Sequence, residues 1–349
     1  MTIVAEHYNY VVGVDTHART HTYTALAADT GAVLDTATFP TTTAGTTRAI
    51  AWIHRRTHNG NVLAAVEGTS SYGARLTCAL LAEDIPVAEV RPPNRNMRAM
   101  HGKSDAIDAQ AAARSVLGQE IEELIEPRAA GARTALRILL AARNLMDHQR
   151  TANRNALTAL LRGTDLGVDA RQPVKDAQIA TIAAWRITAH AEPEVMVARA
   201  EAKRLAIAVR AGTEQLGANR AALQSLAEEL APGLQETPGI GPVTAAIIVC
   251  AYSHHGRIRS EAAFAALAGV APRPASSGNT TRHRLNRSGD RQLNRAFETI
   301  VRTRLSYDPD TRDYVARARA TGKTSREIRR NLKRYVARSV FRQLESIMA

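Results

Sequence analysis

Asp105 and Asp108 sit in the stretch HGKSDAIDAQAAAR, residues 101–114, just after Lys103 and Ser104 and at the head of an alanine-rich run that reads as a helix. Residues three apart share a helix face, where like charges cost roughly 0.2–0.5 kcal/mol. One explanation is local: Asp105 caps the helix, and acids in the first turn suit the positive end of its dipole. The other is a cation held between the carboxylates. Two further acids bear on the choice, Asp15 at the end of NYVVGVD and Glu67 in NVLAAVEGT. Four carboxylates at one point need cations, because burying unpaired charge is expensive. Their hard oxygens suit Mg²⁺ or Mn²⁺. Two such ions about 3.5–4 Å apart clamp a phosphodiester undergoing in-line displacement.

The elements that would position these acids can be read from the pattern. Residues 9–15, 21–28 and 32–39 are β-rich, with a DTG turn at 29–31, and form an antiparallel meander. A helix is expected over 42–58, a strand over 61–69, a helix over 71–84 and a strand over 85–93, stopped by two prolines. The helix bearing Asp105 and Asp108 follows. The order β-β-β-α-β-α-β-α predicts a mixed sheet with helices on its faces. In such a sheet strands one and four lie side by side at the centre. Their acid-bearing ends are then neighbours, with the helix start beside them.

At 349 residues the chain exceeds the ~250–300 at which a single core stops growing, so two or three domains are expected. Hydrophobic residues make up 45% and aromatics only 4%, so the helices should pack through small side chains. Cys78 and Cys250 lack metal-ligand spacing and read as buried free thiols in a reducing compartment. No signal peptide is recognisable, and no stretch approaches the ~18–20 apolar residues of a membrane span. A cytoplasmic, nucleoid-associated protein is expected. The net charge of +13 is unevenly placed. Residues 1–256 hold 25 Lys+Arg and 25 Asp+Glu, whereas residues 257–349 hold 21 and 8. The excess is mostly arginine, whose fork matches phosphate oxygens, so a nucleic-acid partner is the favoured reading.

Residues ~128–162 and ~192–231 are long helical tracts. In the second, Val195, Ala202, Val209, Leu216, Leu223 and Leu230 recur every seventh position, with Gly212 and Gly217 interrupting. The seam predicts a coiled coil or an antiparallel helical hairpin that also serves dimerisation; a helix packed on its own domain is the plainer alternative. Next, LQETPGIGPVTAAIIVCA (234–251) puts Gly239 and Gly241 in a turn between helices. There they either admit a phosphate to the backbone or simply make a tight turn. Residues 272–291 have the Ser/Gly/Asn/Thr/Arg composition of a ligand-facing loop, and 311–347 form a basic amphipathic helical region.

VVGVDTH, AAVEGTSSYG and GKSDAIDAQAAA together resemble the RuvC-like, RNase H-type nuclease fold with its D-E-D-D pattern. TPGIGPVTAAIIV, FAALAGVAPRPASSG and RLNRSGDRQLNRAF resemble the second module of the same proteins. The two modules in this order resemble the DEDD transposases of bridge-RNA-guided insertion sequences, relatives of the Piv-type site-specific DNA invertases. The fold class implied is an α/β RNase H-like mixed sheet at 1–125, a helical coiled-coil dimerisation region at 126–232, and a mainly α basic domain at 233–349.

The resemblance implies metal-binding roles for Asp15, Glu67, Asp105 and Asp108, with two Mg²⁺ or Mn²⁺ ions. It implies a nucleophilic serine before a glycine in PASSGNTTRHR, which points to Ser277 with Ser276 as the adjacent competitor. Relatives often carry lysine where this chain has Asn286 and Arg287, so the charge survives with altered positioning. Expected partners are donor and target DNA, a structured guide RNA, and further copies of the chain as a dimer or tetramer. Candidate nucleic-acid contacts are Lys103, Gly239, Gly241, Arg273, Arg282, Arg284, Arg287, Arg291 and Arg295. Competing readings are a RuvC-like junction resolvase or nuclease that forms no covalent intermediate, and a non-catalytic DNA-binding protein.

Overall fold

A computed structural model describes residues 2–90, 104–128, 131–186, 192–271, 286 and 289–349, and the backbone of 273–274 and 283–284. The chain separates into two compact units, Met1–Ala130 and Gly131–Ala349.

The first unit opens with a short helix α1 (Val4–His7) and the meander β1 (Tyr10–Thr16), β2 (Thr20–Ala27) and β3 (Val33–Pro40). Helix α2 (Thr43–Arg56), β4 (Val62–Glu67), α3 (Ala74–Ala82), β5 (Val87–Val90) and α4 (Asp105–Arg114) follow. The sheet order is β3-β2-β1-β4-β5, with β1 antiparallel to β2 and parallel to β4. The expected meander and the central β1–β4 pairing are both present. This is a mixed five-stranded sheet of the RNase H-like kind.

Strands β1 and β4 are nearly continuous apolar runs because both their faces are covered. Val12, Val14, Ala64 and Val66 pack on one face with Ile50, Ile53, Leu76 and Leu80 of α2 and α3. Val11, Leu63 and Ala65 pack on the other with Ala112 and Ala113 of α4. Period-two alternation therefore puts Gly13, Asp15 and Glu67 on the α4 face. Gly13 explains how closely that helix lies. A Cβ there would meet the Ala109 carbonyl oxygen at 2.0 Å and the Ala113 nitrogen at 2.5 Å. Small residues on both sides, glycine on the strand and alanines on the helix, let α4 rest on the sheet backbone.

The second unit is mostly helical: α5 (Ala132–Gly163), α6 (Asp176–Ala183), α7 (Pro193–Leu230), α8 (Pro242–Tyr252), α9 (Glu261–Leu267), α10 (Arg291–Tyr307), α11 (Pro309–Ala320) and α12 (Ser325–Ile347). Helices α5 and α7 form an antiparallel hairpin. Asn219 donates to the Leu139 carbonyl, Arg143 to that of Leu216, and Gly212 lies against Arg150. Of the heptad seam, Ala202, Val209, Leu216 and Leu223 are buried within this one chain. At its open end the hairpin joins the C-terminal core through Leu136, Leu223 and Ala227. At its closed end Leu157, Leu161, Ala202 and Leu205 form a separate core with Ile179 and Ile182 of α6. Three of the chain's four phenylalanines share the C-terminal core with Tyr252: Tyr252 meets Phe264 and Phe341 at centroid distances of 6.3 and 6.2 Å, and Phe264 meets Phe297 and Phe341 at 5.9 and 5.8 Å.

The tail is helical as expected, in two helices broken at Gly322, whose φ of +79° suits glycine. Two expectations need correction. Cys78 is exposed on α3 rather than buried, and Cys250 is only partly buried. Ser104, not Asp105, caps α4: its Oγ accepts from the Ile107 amide at 3.3 Å.

Candidate active site

Asp15 lies near the end of β1 and is 6% exposed; Asp108, in the first turn of α4, is 5% exposed. Asp105, the first residue of the same turn, is exposed. The close seat of α4 over Gly13 brings this helix start to the end of β1. Burial is the main cause of an Asp15 carboxyl held above the usual carboxylate range; His17 opposes the shift, and the charges of Asp108 and Asp105 add to it. Glu67 ends β4, one position beyond the Val14–Val66 pair, and its backbone carbonyl accepts from Thr16 Oγ1 at 2.9 Å. Register and parity thus put Glu67 beside Asp15 on the same face.

His17 is the residue that the sequence reading passed over. Its Nε2 lies 3.1 Å from Asp15 Oδ2 and 3.3 Å from Asp105 Oδ1. The signal was present in VVGVDTH, because a residue two beyond Asp15 continues the same strand face. Asp15, His17 and Asp105 offer ligand atoms all within 4.8 Å of one another. Behind them His21 is buried, and burial lowers its pKa.

These residues fit a divalent cation. Asp15 Oδ2 is buried, and the partner it meets is His17 Nε2 at 3.1 Å. Hard carboxylate oxygens and an imidazole nitrogen form a donor set that a divalent cation can use, and a buried carboxylate beside further acids is costly without one.

Two family models match the chain. One, the DEDD model of the IS110 elements, described as a transposase, covers residues 12–165 and so includes all four acids. The other, described as the transposase IS116/IS110/IS902 family, covers residues 231–316. The chain belongs to the IS110-type DEDD transposase family. A relative in Streptomyces coelicolor, an insertion element IS110 uncharacterized 43.6 kDa protein, is 36% identical over 123 residues. That match covers 34% of this chain and 30% of the relative.

In this transposase-family chain the second module's candidates are more dispersed. Gly239 has φ +81°, and a Cβ on it would lie 3.0 Å from the Ile300 carbonyl oxygen of α10. Gly241 caps α8 and gives its amide to Thr244 Oγ1 at 2.9 Å. Arg291 and Arg295 are exposed one turn apart on α10, and neither pairs with an acid among the described residues. Arg273 and Arg284 pair in a two-residue ribbon, β6 (Arg273–Pro274) with β7 (His283–Arg284). Ser276, Ser277, Lys103, Arg282 and Arg287 lie outside the described residues. Other arginines of this unit hold helices together. Arg304 donates to the Pro238 carbonyl, and Arg338 and Arg342 pair with Glu261. Among the described residues no helix is long and apolar enough to cross a membrane.

Proposed function

We propose that this chain cuts and rejoins DNA during movement of an insertion sequence, acting on donor and target DNA in the bacterial cytoplasm. The carrying observation is the buried Asp15 carboxylate, electrostatically coupled to Asp108 and Asp105 at the start of a helix and grouped with His17 and Asp105 within ligand distance. Asp15, Glu67, Asp105 and Asp108 would hold Mg²⁺ or Mn²⁺. A bound pair of ions would polarise the scissile phosphodiester and favour loss of the attacking hydroxyl's proton.

The reading assigns Ser277 as the nucleophile that becomes transiently linked to DNA phosphate, with Ser276 as its competitor. Glycine at 278 would admit the backbone close to DNA. Arg282 and Arg284 would offset the charge developing on the phosphate. The working division is a nuclease module at 1–125, a helical dimerisation region with coiled-coil character at 126–232 and a basic module at 233–349. A structured guide RNA and a dimer that pairs into a tetramer complete the proposal, with Lys103, Gly239, Gly241, Arg273, Arg287, Arg291 and Arg295 among the nucleic-acid contacts. Support for a recombinase over a plain nuclease is the second matched module, 231–316, which spans the serine loop.

The test is incubation of labelled DNA with the protein, RNA and Mg²⁺, scoring a protease-sensitive covalent adduct. Ser277→Ala should eliminate the adduct while DNA and metal binding persist. An adduct lost only in Ser276→Ala moves the nucleophile by one residue. Cleavage without any adduct in the wild type favours the junction-resolving nuclease, and neither cleavage nor adduct favours a binding protein.

A further inference from the structure

We propose that His17 is a nitrogen ligand of the acidic site and biases it towards a first-row transition ion such as Mn²⁺ over Mg²⁺. The inference rests on reading Asp15 and Asp105 as metal ligands.

The His17 ring lies between these two acids, with Nε2 at 3.1 Å from one carboxylate and 3.3 Å from the other. An octahedral ion with bonds of about 2.1 Å has adjacent ligand atoms about 3.0 Å apart. The two spacings from His17 match neighbouring vertices of one coordination shell, and the three ligand atoms all lie within 4.8 Å of one another. One ring nitrogen thus approaches both carboxylates at once.

The backbone fixes the ring's origin. The His17 amide donates to the Thr20 carbonyl at 3.1 Å and to His21 Nδ1 at 3.3 Å, which closes the tight β1–β2 connection. His21 is 3% exposed, so this anchor is itself held in the sheet. The His17 side chain is about half exposed, which leaves room for water in the remaining positions. Imidazole nitrogen raises affinity for transition ions, whereas Mg²⁺ prefers an all-oxygen shell and keeps its waters.

The test uses full-length protein, Mn²⁺ and Mg²⁺. Pulsed EPR of bound Mn²⁺ should show nitrogen modulation in the wild type and lose it in His17→Asn. Titration should show Mn²⁺ binding weakened by about 10–100-fold in that variant, with Mg²⁺ binding, measured by competition, changed less than about threefold. His17→Gln and a thermal melt of each metal-free variant guard against misfolding, and the wild-type spectrum needs no variant. Wild-type Mn²⁺ that Asp15→Asn releases but that shows no nitrogen modulation overturns the assignment and leaves the acid site standing. Equal weakening for both ions in His17→Asn overturns the selectivity. If Asp15→Asn binds both ions as tightly as the wild type, the acid-site reading itself fails and His17 falls with it.

Discussion

The two units position their chemistry by different means. In the first, the candidate acids ride on elements fixed by backbone contact: Gly13 admits α4 onto β1, and Ser104 caps the helix start that bears Asp105 and Asp108. In the second, Tyr252, Phe264, Phe297 and Phe341 sit in the larger of two apolar cores, and exposed arginines stand on helix surfaces of the same unit. A metal-type site tolerates little error in the placement of its ligands. A phosphate-binding face draws on the summed charge of flexible side chains. The rigid sheet and the looser arginine surface follow from these two demands.

The contrast can be broken at several points. Asp108→Asn should have the largest effect, reducing strand cleavage at least about 1,000-fold while DNA binding stays within about threefold. Cleavage near the wild-type rate on labelled DNA would remove Asp108 from the site. Gly13→Ala comes next. The added carbon must displace α4, and overpacking of this kind costs about 1–3 kcal/mol or more. Urea unfolding and Mn²⁺ titration should both register the loss, and an unchanged midpoint would show that α4 yields freely. Replacing Arg291 and Arg295 together by Ala should flatten the log–log salt dependence of duplex binding by about 0.9 for each phosphate no longer neutralised, with no change in folding. An identical slope would place the phosphate-binding residues elsewhere. Gly241→Ala sharpens the comparison from the other side: no atom lies within 4 Å of the position a Cβ would take and its φ is −99°, so stability should change by less than about 1 kcal/mol. The smallest effect concerns the thiols. Exposed Cys78 should be alkylated well before Cys250, whose pKa burial pushes up to about 11, and mass spectrometry of partially modified protein gives the order.

Much of the first unit was legible because its signals are local. Strand alternation, the DTG turn and the two buried parallel runs lead directly to the observed sheet order. The role of Gly13 was not legible, since nothing in VVGVD distinguishes a glycine under a helix from one in a turn. His17 was readable by period two but lacked the partner that gives it meaning, because Asp105 lies 88 positions away in the chain. In the second unit the seventh-position seam pointed to a long helical pairing but could not show that α5 and α6 fill it. Nor could composition separate Arg291 and Arg295 from Arg304 or Arg338. All read as positive charge, and only packing reveals that the last two tie helices together.

The hairpin of α5 and α7 has one more consequence, in the mechanics of alignment. Its two apolar ends are joined through a polar waist. There Arg143 donates to the Asn219 carboxamide oxygen and to the Leu216 carbonyl, and the buried Asn219 donates to that of Leu139. Leucines and alanines can slide past one another by a heptad at modest cost, but these side chains cannot. Moving α7 along α5 would leave a carboxamide and a guanidinium stranded among aliphatic neighbours. A buried asparagine at such a seam fixes stagger at the expense of stability. Asn219 therefore works as a detent: it sets the two rods at one offset, and so sets how far apart the cores at their two ends are held.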